Sequence, residues 1–126
     1  MITELLFREE VYAIVGICLE VRKGLGFGFS ESIYKDAMEQ EFIDNHLPYT
    51  REQGLSVHYK GKLLKHRFNA DFTLFENIIV EVKSGEEGVI EKAIAQTLNY
   101  LRASGCRVGL IINFGKTKLE YKRLIV

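Results

Sequence analysis

The sequence predicts a single α+β domain of 126 residues in the element order ααβββαββ. Apolar residues recur every three or four positions in three segments, which is typical of amphipathic helices. Between these segments they alternate with polar residues or form short β-branched runs, which is typical of strands. With 47% apolar residues, the chain is long enough for one ordinary hydrophobic core, and two domains are not expected.

The first two helices are predicted on either side of a glycine-rich turn. Helical spacing over residues 3 to about 22 is interrupted by the stretch 24–28. Ser30 is the predicted N-cap of a second helix that ends near residue 45. The turn lacks the last glycine of a dinucleotide fingerprint and follows a helix rather than a strand, which excludes that kind of nucleotide binding.

The middle of the chain predicts a three-stranded meander. Its strands cover residues 55–59, 63–75 and 78–84, and turns at 60–62 and 76–77 join them. A third helix is expected from residue 89 to about 104, because apolar spacing becomes helical again and Gly105 is a suitable helix-ending residue.

The end of the chain predicts two more strands, over residues 107–114 and 119–126. The third helix lies between strand 78–84 and strand 107–114, so these two strands can pair in parallel through a crossover connection. Asn113, at the end of an apolar run, is interpreted as a turn residue rather than a ligand.

Composition excludes several classes of protein. The 17 basic and 17 acidic side chains cancel, so the protein would not coat nucleic acid by bulk charge. Cys18 and Cys106 form neither a zinc motif nor a disulfide framework, and a reducing cytoplasm is the expected location. Charged residues interrupt the first twenty positions, and no later window has the apolar length of a membrane span.

Basic residues are nevertheless clustered in two places. The two clusters are Lys60, Lys62, Lys65, His66 and Arg67, and Lys116, Lys118, Lys122 and Arg123. One interpretation is that lysines protect solvated hairpin edges. The other is that the clusters contact phosphates, which would support a nucleic-acid partner.

Three charged residues lie in segments that otherwise have the composition of interior strands: Asp71, Glu81 and Lys83. Burying isolated charges costs several kcal/mol, so the acids need a partner. Glu81 and Lys83 share a strand face, which is either half-solvated or part of a site. Asp71 lies opposite Glu81 only if Leu74 pairs with Ile78 across a three-residue loop, with Asn77 in the left-handed conformation.

Two carboxylates about 4 Å apart repel each other by roughly 4 kcal/mol at a surface-like dielectric, so such a pair favours a cation. Oxygen ligands suit Mg²⁺ or Mn²⁺, and the carbonyl of Val82 could add another oxygen.

Two helices carry further candidates. Glu31 and Tyr34 share a face at the start of the second helix, where Glu31 is either a ligand or a first-turn acid favoured by the helix dipole. Gln96 and Tyr100 lie one turn apart on the third helix and are either functional or the polar flank of an amphipathic helix.

In chain order, these residues resemble the PD-(D/E)xK nuclease superfamily. More specifically, segments 28–34, 70–71, 80–83 and 109–115 are similar to the bacterial GxxExxY family, and the similarity spans residues 4–126. The Gln-x-x-x-Tyr element is similar to that of RecB-like exonucleases. Ala70 stands where the name motif of the superfamily has proline.

The resemblance implies a mixed central sheet flanked by helices, as in restriction endonucleases, and a metal-dependent phosphodiesterase acting on DNA. Asp71 and Glu81 would bind Mg²⁺ or Mn²⁺, and Glu31 would complete the site directly or through water. Lys83 would orient or deprotonate the attacking water. Substrate contacts would come from Gln96, which would also position Lys83 or a phosphate, and from Tyr100 and Tyr34.

Two other functions stay open at this point. A nucleic-acid-binding or partner-binding module would keep the fold without turnover, and a scaffold would use the charges as salt bridges. The scaffold gives no reason for Asp71 and Glu31 to occupy motif positions. Because the domain is small, a homodimer is expected on a long substrate.

Overall fold

The computed structural model describes residues 6–126, which form three helices and nine strands. The helices are α1 (Arg8–Leu25), α2 (Glu31–Asp44) and α3 (Glu91–Ser104). The strands are β1 (Tyr49–Arg51), β2 (Gly54–Leu55), β3 (His58–Tyr59), β4 (Lys62–Leu63), β5 (Phe68–Asn69), β6 (Phe72–Leu74), β7 (Ile78–Lys83), β8 (Val108–Asn113) and β9 (Glu120–Ile125).

A five-stranded mixed sheet in the order β1-β6-β7-β8-β9 forms the centre of the molecule. Strands β7 and β8 run parallel, as predicted from the helix between them, and the other neighbours are antiparallel. The strands of this sheet and the three helices follow the predicted order ααβββαββ. The predicted α+β class with a mixed central sheet is therefore confirmed.

Each face of the sheet packs against helices through its own apolar cluster. Helices α1 and α2 cover the face that carries Val80, Val82 and Leu110. Helix α3 covers the opposite face, which carries Ile79 and Ile111. Strands β7 and β8 are buried almost throughout because both faces are covered, as is usual for parallel strands.

The helix boundaries agree with the sequence pattern in most respects. Positions 3–5 of the first predicted helix lie outside the described residues. Helix α1 ends at Leu25, a little later than predicted, and Gly26 with a φ of +73° is its C-cap. Ser30 occupies the N-cap of α2, but its hydroxyl makes no capping hydrogen bond to any described residue. Gly105 ends α3 in the left-handed conformation, as predicted. None of the helices described for residues 6–126 is long and apolar enough to cross a membrane.

The predicted three-stranded meander is wrong. Strand β1 pairs with β6, and the intervening chain forms two short ribbons, β2 with β5 and β3 with β4. The long strand predicted over residues 63–75 is thus divided into β4, β5 and β6. Residues 58–67 are all exposed, so no buried face held them in one continuous strand.

Candidate functional site

The hairpin of β6 and β7 brings Asp71 and Glu81 together. Leu74 pairs with Ile78 across a three-residue loop, as predicted, and the same register continued past Phe72 and Val80 sets Asp71 opposite Glu81. The loop differs in one detail, because Phe75 and Glu76 are left-handed rather than Asn77.

Hydrogen bonds to the backbone fix both carboxylates. The Asp71 N–H donates to Glu81 Oε2 at 2.8 Å, and the Val82 N–H donates to Asp71 Oδ2 at 2.7 Å. Since a strand N–H points along the plane of the sheet, the Asp71 carboxylate lies between the strands where the β6–β7 ladder ends. The Val82 carbonyl points to the same side as its N–H, toward this carboxylate.

Glu81 is more deeply buried than a half-solvated strand residue would be, with a relative exposure of 4%. Of the two interpretations of the Glu81 and Lys83 face, the half-solvated strand is therefore excluded. Burial, followed by the charge of Asp71, raises the pKa of Glu81 from 4.5 to about 7. A cation beside the pair would offset both effects.

Lys35 belongs to this site, although the sequence did not single it out. Its Nζ lies 3.0 Å from Asp71 Oδ1 and 3.0 Å from Glu52 Oε1, and its side chain is only 9% exposed. The available signal was its position: Lys35 follows buried Tyr34 and precedes Met38 on the apolar side of α2. Lysine is rarely buried unless it is paired.

A cleft of about 430 Å³ opens at the end of β7, between the starts of α2 and α3. Three predicted site residues line it, one from each element: Glu31, Lys83 and Gln96. Among the described residues, Asp71 and Glu81 are not part of this lining. Glu81 precedes Lys83 by two positions on the same strand face, so the carboxylate pair adjoins the cleft.

Glu31 does not complete a three-ligand cluster. No group of three or more His, Cys, Asp or Glu side chains within residues 6–126 is close enough to hold a metal ion. Glu31 lies at the exposed first turn of α2, and its predicted role as a direct ligand stays a prediction. A contribution through water stays a prediction.

Tyr34, for which a substrate contact is predicted, has packing contacts in the structure. Its ring is fully buried and stacks on Phe114, with 4.3 Å between centroids. Its hydroxyl donates to the carbonyl of Gly26 at 2.8 Å. These contacts join α2 to the end of β8 and to the glycine turn, where Gly28 has a φ of +109° that side chains rarely adopt. Tyr34 thereby sets the position of Glu31.

Tyr100 and Gln96 differ in their surroundings. Gln96 is exposed in the cleft, whereas the Tyr100 ring stacks on Phe68 with 4.1 Å between centroids. Burial raises the pKa of the Tyr100 phenol, and the charges of Glu81 and Asp71 raise it further. The phenol therefore lies within electrostatic reach of the carboxylate pair.

The loop that follows Lys83 is held from β8 and β9. The Asn113 amide donates to the Gly85 carbonyl at 2.9 Å, and Glu120 Oε1 accepts from the Val89 N–H at 2.8 Å. A Cβ added at Gly115 would lie 2.5 Å from the carbonyl carbon and oxygen of Ser84, so only glycine fits there. Asn113 is therefore not a turn residue, as the sequence was interpreted, but the buried last residue of β8, and its amide fixes the cleft wall.

A five-stranded mixed sheet with Asp71 directly before one strand and Glu81-x-Lys83 on the neighbouring strand is the arrangement of a PD-(D/E)XK domain. The model of the PD-(D/E)XK nuclease superfamily matches residues 8–124, and the chain belongs to this superfamily. No protein with a curated description matches the chain.

Among solved structures, the chain is similar to the crystal structure of SSO0001, with a TM-score of 0.58 and 17% identity. The match covers 75% of this chain and 48% of that one, so this chain spans about half the length of that protein. At this identity the likeness shows the fold alone.

Proposed function

We propose that this protein is a divalent-metal-dependent nuclease that hydrolyses DNA phosphodiesters, and that within its superfamily it belongs to the GxxExxY family. The observation that carries the proposal is the pairing of half-buried Asp71 with buried Glu81 beside a cleft that contains Lys83. Superfamily membership supports nuclease chemistry in general. Metal, substrate and residue roles are our inference from the site.

The donors fit a hard divalent cation. Asp71 and Glu81 offer carboxylate oxygens, and the Val82 carbonyl faces the same side, so Mg²⁺ or Mn²⁺ would be held by oxygen atoms alone. The high pKa of Glu81 indicates that the ionised carboxylate is destabilised in the folded protein, because no nearby cation fully compensates its charge. When bound, the cation would polarise the phosphate and favour a hydroxide nucleophile.

Residues of the cleft would do the remaining work. Lys83 would orient the attacking water or, in its neutral form, take up the water proton, which passes to the departing 3′ oxygen. As an ammonium it would stabilise the negative charge that develops on the phosphate oxygens. Gln96 would position the phosphate or Lys83, and Glu31 would act through water. Oxygen of water bonds to phosphorus while the bond to the 3′ oxygen breaks, and the products are a 5′-phosphate and a 3′-hydroxyl.

We further propose a homodimer in the cytoplasm. The domain offers little surface for a long duplex, and a second subunit would extend it. The free, buried Cys18 and Cys106 are compatible with a reducing compartment.

A binding module without turnover is the second candidate. Lys35 already neutralises Asp71, so the pair is less dependent on a cation than two bare carboxylates would be. Such a module would bind nucleic acid with the same surface and leave it intact.

Labelled single-stranded, duplex and branched DNA, incubated with Mg²⁺ or Mn²⁺, would separate these functions. We expect wild type to cleave at least one substrate, Lys83→Ala to be inactive, and Lys118→Ala, an exposed lysine in the β8–β9 loop, to match wild type. If wild type and Lys83→Ala both bind DNA without cutting it, the binding module is the correct function.

A further inference from the structure

We propose that Lys35 is a positioning residue that pairs with Asp71 when no divalent cation is bound and transfers its pairing to Glu52 when the cation binds. The proposal rests on the proposed function for the identity of the cation. It adds a residue and a partner that the Asp71, Glu81 and Lys83 motif does not include.

Lys35 lies between two acidic residues, Asp71 and Glu52, that differ in solvent exposure. Its Nζ is 3.0 Å from an oxygen of each. The side chain of Asp71 is 19% exposed and that of Glu52 is 57% exposed, so the lysine connects an inner and an outer carboxylate. If a cation binds Asp71, Lys35 therefore keeps Glu52 as a partner that it already contacts.

The backbone of Glu52 supports a specific role for this acid. Its φ of +53° is in the left-handed region, which non-glycine residues seldom adopt. Its N–H donates to the carbonyl of Asp71 at 2.9 Å. The strained conformation thus fixes Glu52 beside Asp71 and brings its carboxylate to Lys35.

A bound ammonium competes with a metal ion for the same carboxylate charge. Removing Lys35 should therefore increase cation affinity, whereas removing Glu52 should leave the lysine entirely to Asp71 and decrease it. An ion pair with a purely structural role would change stability without moving the two affinities in opposite directions.

Calorimetric titration of Mn²⁺ alone into Lys35→Met, Glu52→Gln and wild type tests this. We expect Lys35→Met to bind roughly tenfold more tightly and Glu52→Gln more weakly than wild type. Arg51→Met is the matched control, because Arg51 joins the same segment to α2 through Asp36 and Glu39 without contacting Asp71. It should bind Mn²⁺ as wild type does.

The outcomes separate this proposal from the proposed function. If wild type binds Mn²⁺ and both variants bind equally well, Lys35 has no such role while the metal site stands. If wild type does not bind Mn²⁺ while Lys35→Met does, Lys35 stays on Asp71 and blocks the site, so the proposed transfer to Glu52 is overturned while the metal site stands. If none of the proteins binds Mn²⁺, both proposals fail. Glu52→Gln keeps the test decisive if Lys35→Met does not fold, since Glu52 is largely exposed.

A second inference comes from a separate surface. We infer that the β3–β4 ribbon, residues 58–63, binds the sugar-phosphate backbone of nucleic acid. The stretch from position 53 to position 70 contains Lys60, Lys62, Lys65 and Arg67 and no acidic residue, although the whole chain is neutral. Residues 58–67 are all exposed, so these charges face solvent.

Lys60 at the tip of the ribbon has a backbone conformation that is unfavourable for lysine. Tyr59 pairs with Lys62, so Lys60 and Gly61 form a two-residue turn in which both have positive φ, at +50° and +76°. Such turns usually carry Asn or Asp at the first position. Lysine there presents a charge at the tip of the ribbon, where its Nζ lies 5.5 Å from the centroid of the Tyr59 ring, and the Tyr59 side chain is 61% exposed.

The ribbon connects to the candidate site through the aromatic pair of Phe68 and Tyr100. A cleft of about 510 Å³ is lined by His58 of the ribbon, by Phe68 and Tyr100, and by Arg102. The Tyr100 phenol in turn lies within electrostatic reach of Glu81 and Asp71. A strand bound to the ribbon would thus pass toward the carboxylates.

Fluorescence anisotropy of a labelled DNA duplex over a range of salt, with EDTA present, tests the ribbon without depending on cleavage. We expect Lys60→Ala/Lys62→Ala to weaken binding and to reduce the slope of log affinity against log salt by about two. Lys118→Ala/Lys122→Ala removes two exposed lysines of the other basic cluster and should retain the wild-type slope.

Three results would overturn the inference: no binding of the duplex by wild type, equal effects of the two double variants, or equal binding of polyglutamate, which would indicate an acidic protein partner. Binding through the ribbon in EDTA, together with no cleavage by wild type in Mg²⁺ or Mn²⁺, would instead refute the nuclease and keep the ribbon.

Discussion

The two faces of the central sheet are made from the same strands but have different compositions. The face under α1 and α2 carries only apolar side chains from β7, at Ile78, Val80 and Val82. The face under α3 begins with Ile79, continues with Glu81 and ends with Lys83. Strand alternation thus assigns stability to one face and the charged residues to the other.

Asp71 makes contacts with residues on both sides of the sheet. Its carboxylate accepts from Lys35 on the α2 side and from the Val82 N–H, and its backbone N–H donates to the Glu81 carboxylate. The charged end of β7 is therefore supported by a rigid apolar layer, as a precise site requires. Substitutions on the two faces should separate activity from stability.

The largest effect is expected for Asp71→Asn. Loss of the charge should decrease the rate of metal-dependent DNA cleavage at least about a hundredfold, because a cation site loses one of its two carboxylates. Stability should change little by comparison. Cleavage kinetics and urea unfolding of the same preparation would check this, and a variant with wild-type rates would contradict the division between faces.

Leu110→Ala should have the opposite profile. Leu110 is fully buried on the apolar face, and its truncation leaves a cavity that typically costs about 2 to 5 kcal/mol of unfolding free energy. Activity per folded molecule should stay near wild type. Urea unfolding would measure the loss of stability, and the rate of DNA cleavage per folded molecule would measure activity. A large decrease in that rate would show that the apolar face also controls the chemistry.

A pH dependence between pH 4.5 and about 7 should arise from Glu81 on the charged face. The pKa of Glu81 is about 7 in the folded protein and 4.5 is its ordinary value, so the folded state binds the proton more tightly. This contribution to stability is complete below pH 4.5 and is lost as pH rises through about 7, by roughly 3 kcal/mol in total.

Unfolding of metal-free wild type between these pH values would measure that loss, with Glu81→Gln as the comparison. The variant cannot ionise at this position and should have a flatter profile. Identical profiles for the two proteins would indicate that Glu81 keeps its ordinary pKa and that the pair is better solvated than its burial indicates.

The smallest effect concerns Cys18 on the apolar face. Burial raises the pKa of its thiol, so the thiolate should be scarce in the folded protein. In Cys106→Ser, a thiol-specific disulfide reagent should label Cys18 only as fast as the protein opens, and denaturant should accelerate labelling. Rapid labelling of the folded protein would show that this face is less closed than its packing implies.

Much of this architecture follows from local pattern. The three-residue loop fixed the β6–β7 register and with it the meeting of Asp71 and Glu81, and Gly105 marked the end of α3. The ribbons of residues 54–69 were not predictable in the same way. Their residues are mostly exposed, and without a buried face alternation carries no information about pairing.

The site was only partly predictable for a different reason. Lys35 and Glu52 meet Asp71 through tertiary contacts between α2 and the segment after β1, and no local spacing encodes them. Tyr34 belongs to a recognisable motif, yet its ring is packed against Phe114. A motif therefore indicates that a residue type is required and leaves open whether packing or chemistry requires it.

The claim on which this account depends is that Asp71 and Glu81 together hold a divalent cation. Calorimetric titration of Mn²⁺ into wild type, Asp71→Ala and Glu81→Gln tests it most directly. We predict one site in wild type that is lost or strongly weakened in both variants. Equal Mn²⁺ binding by all three proteins would contradict the account.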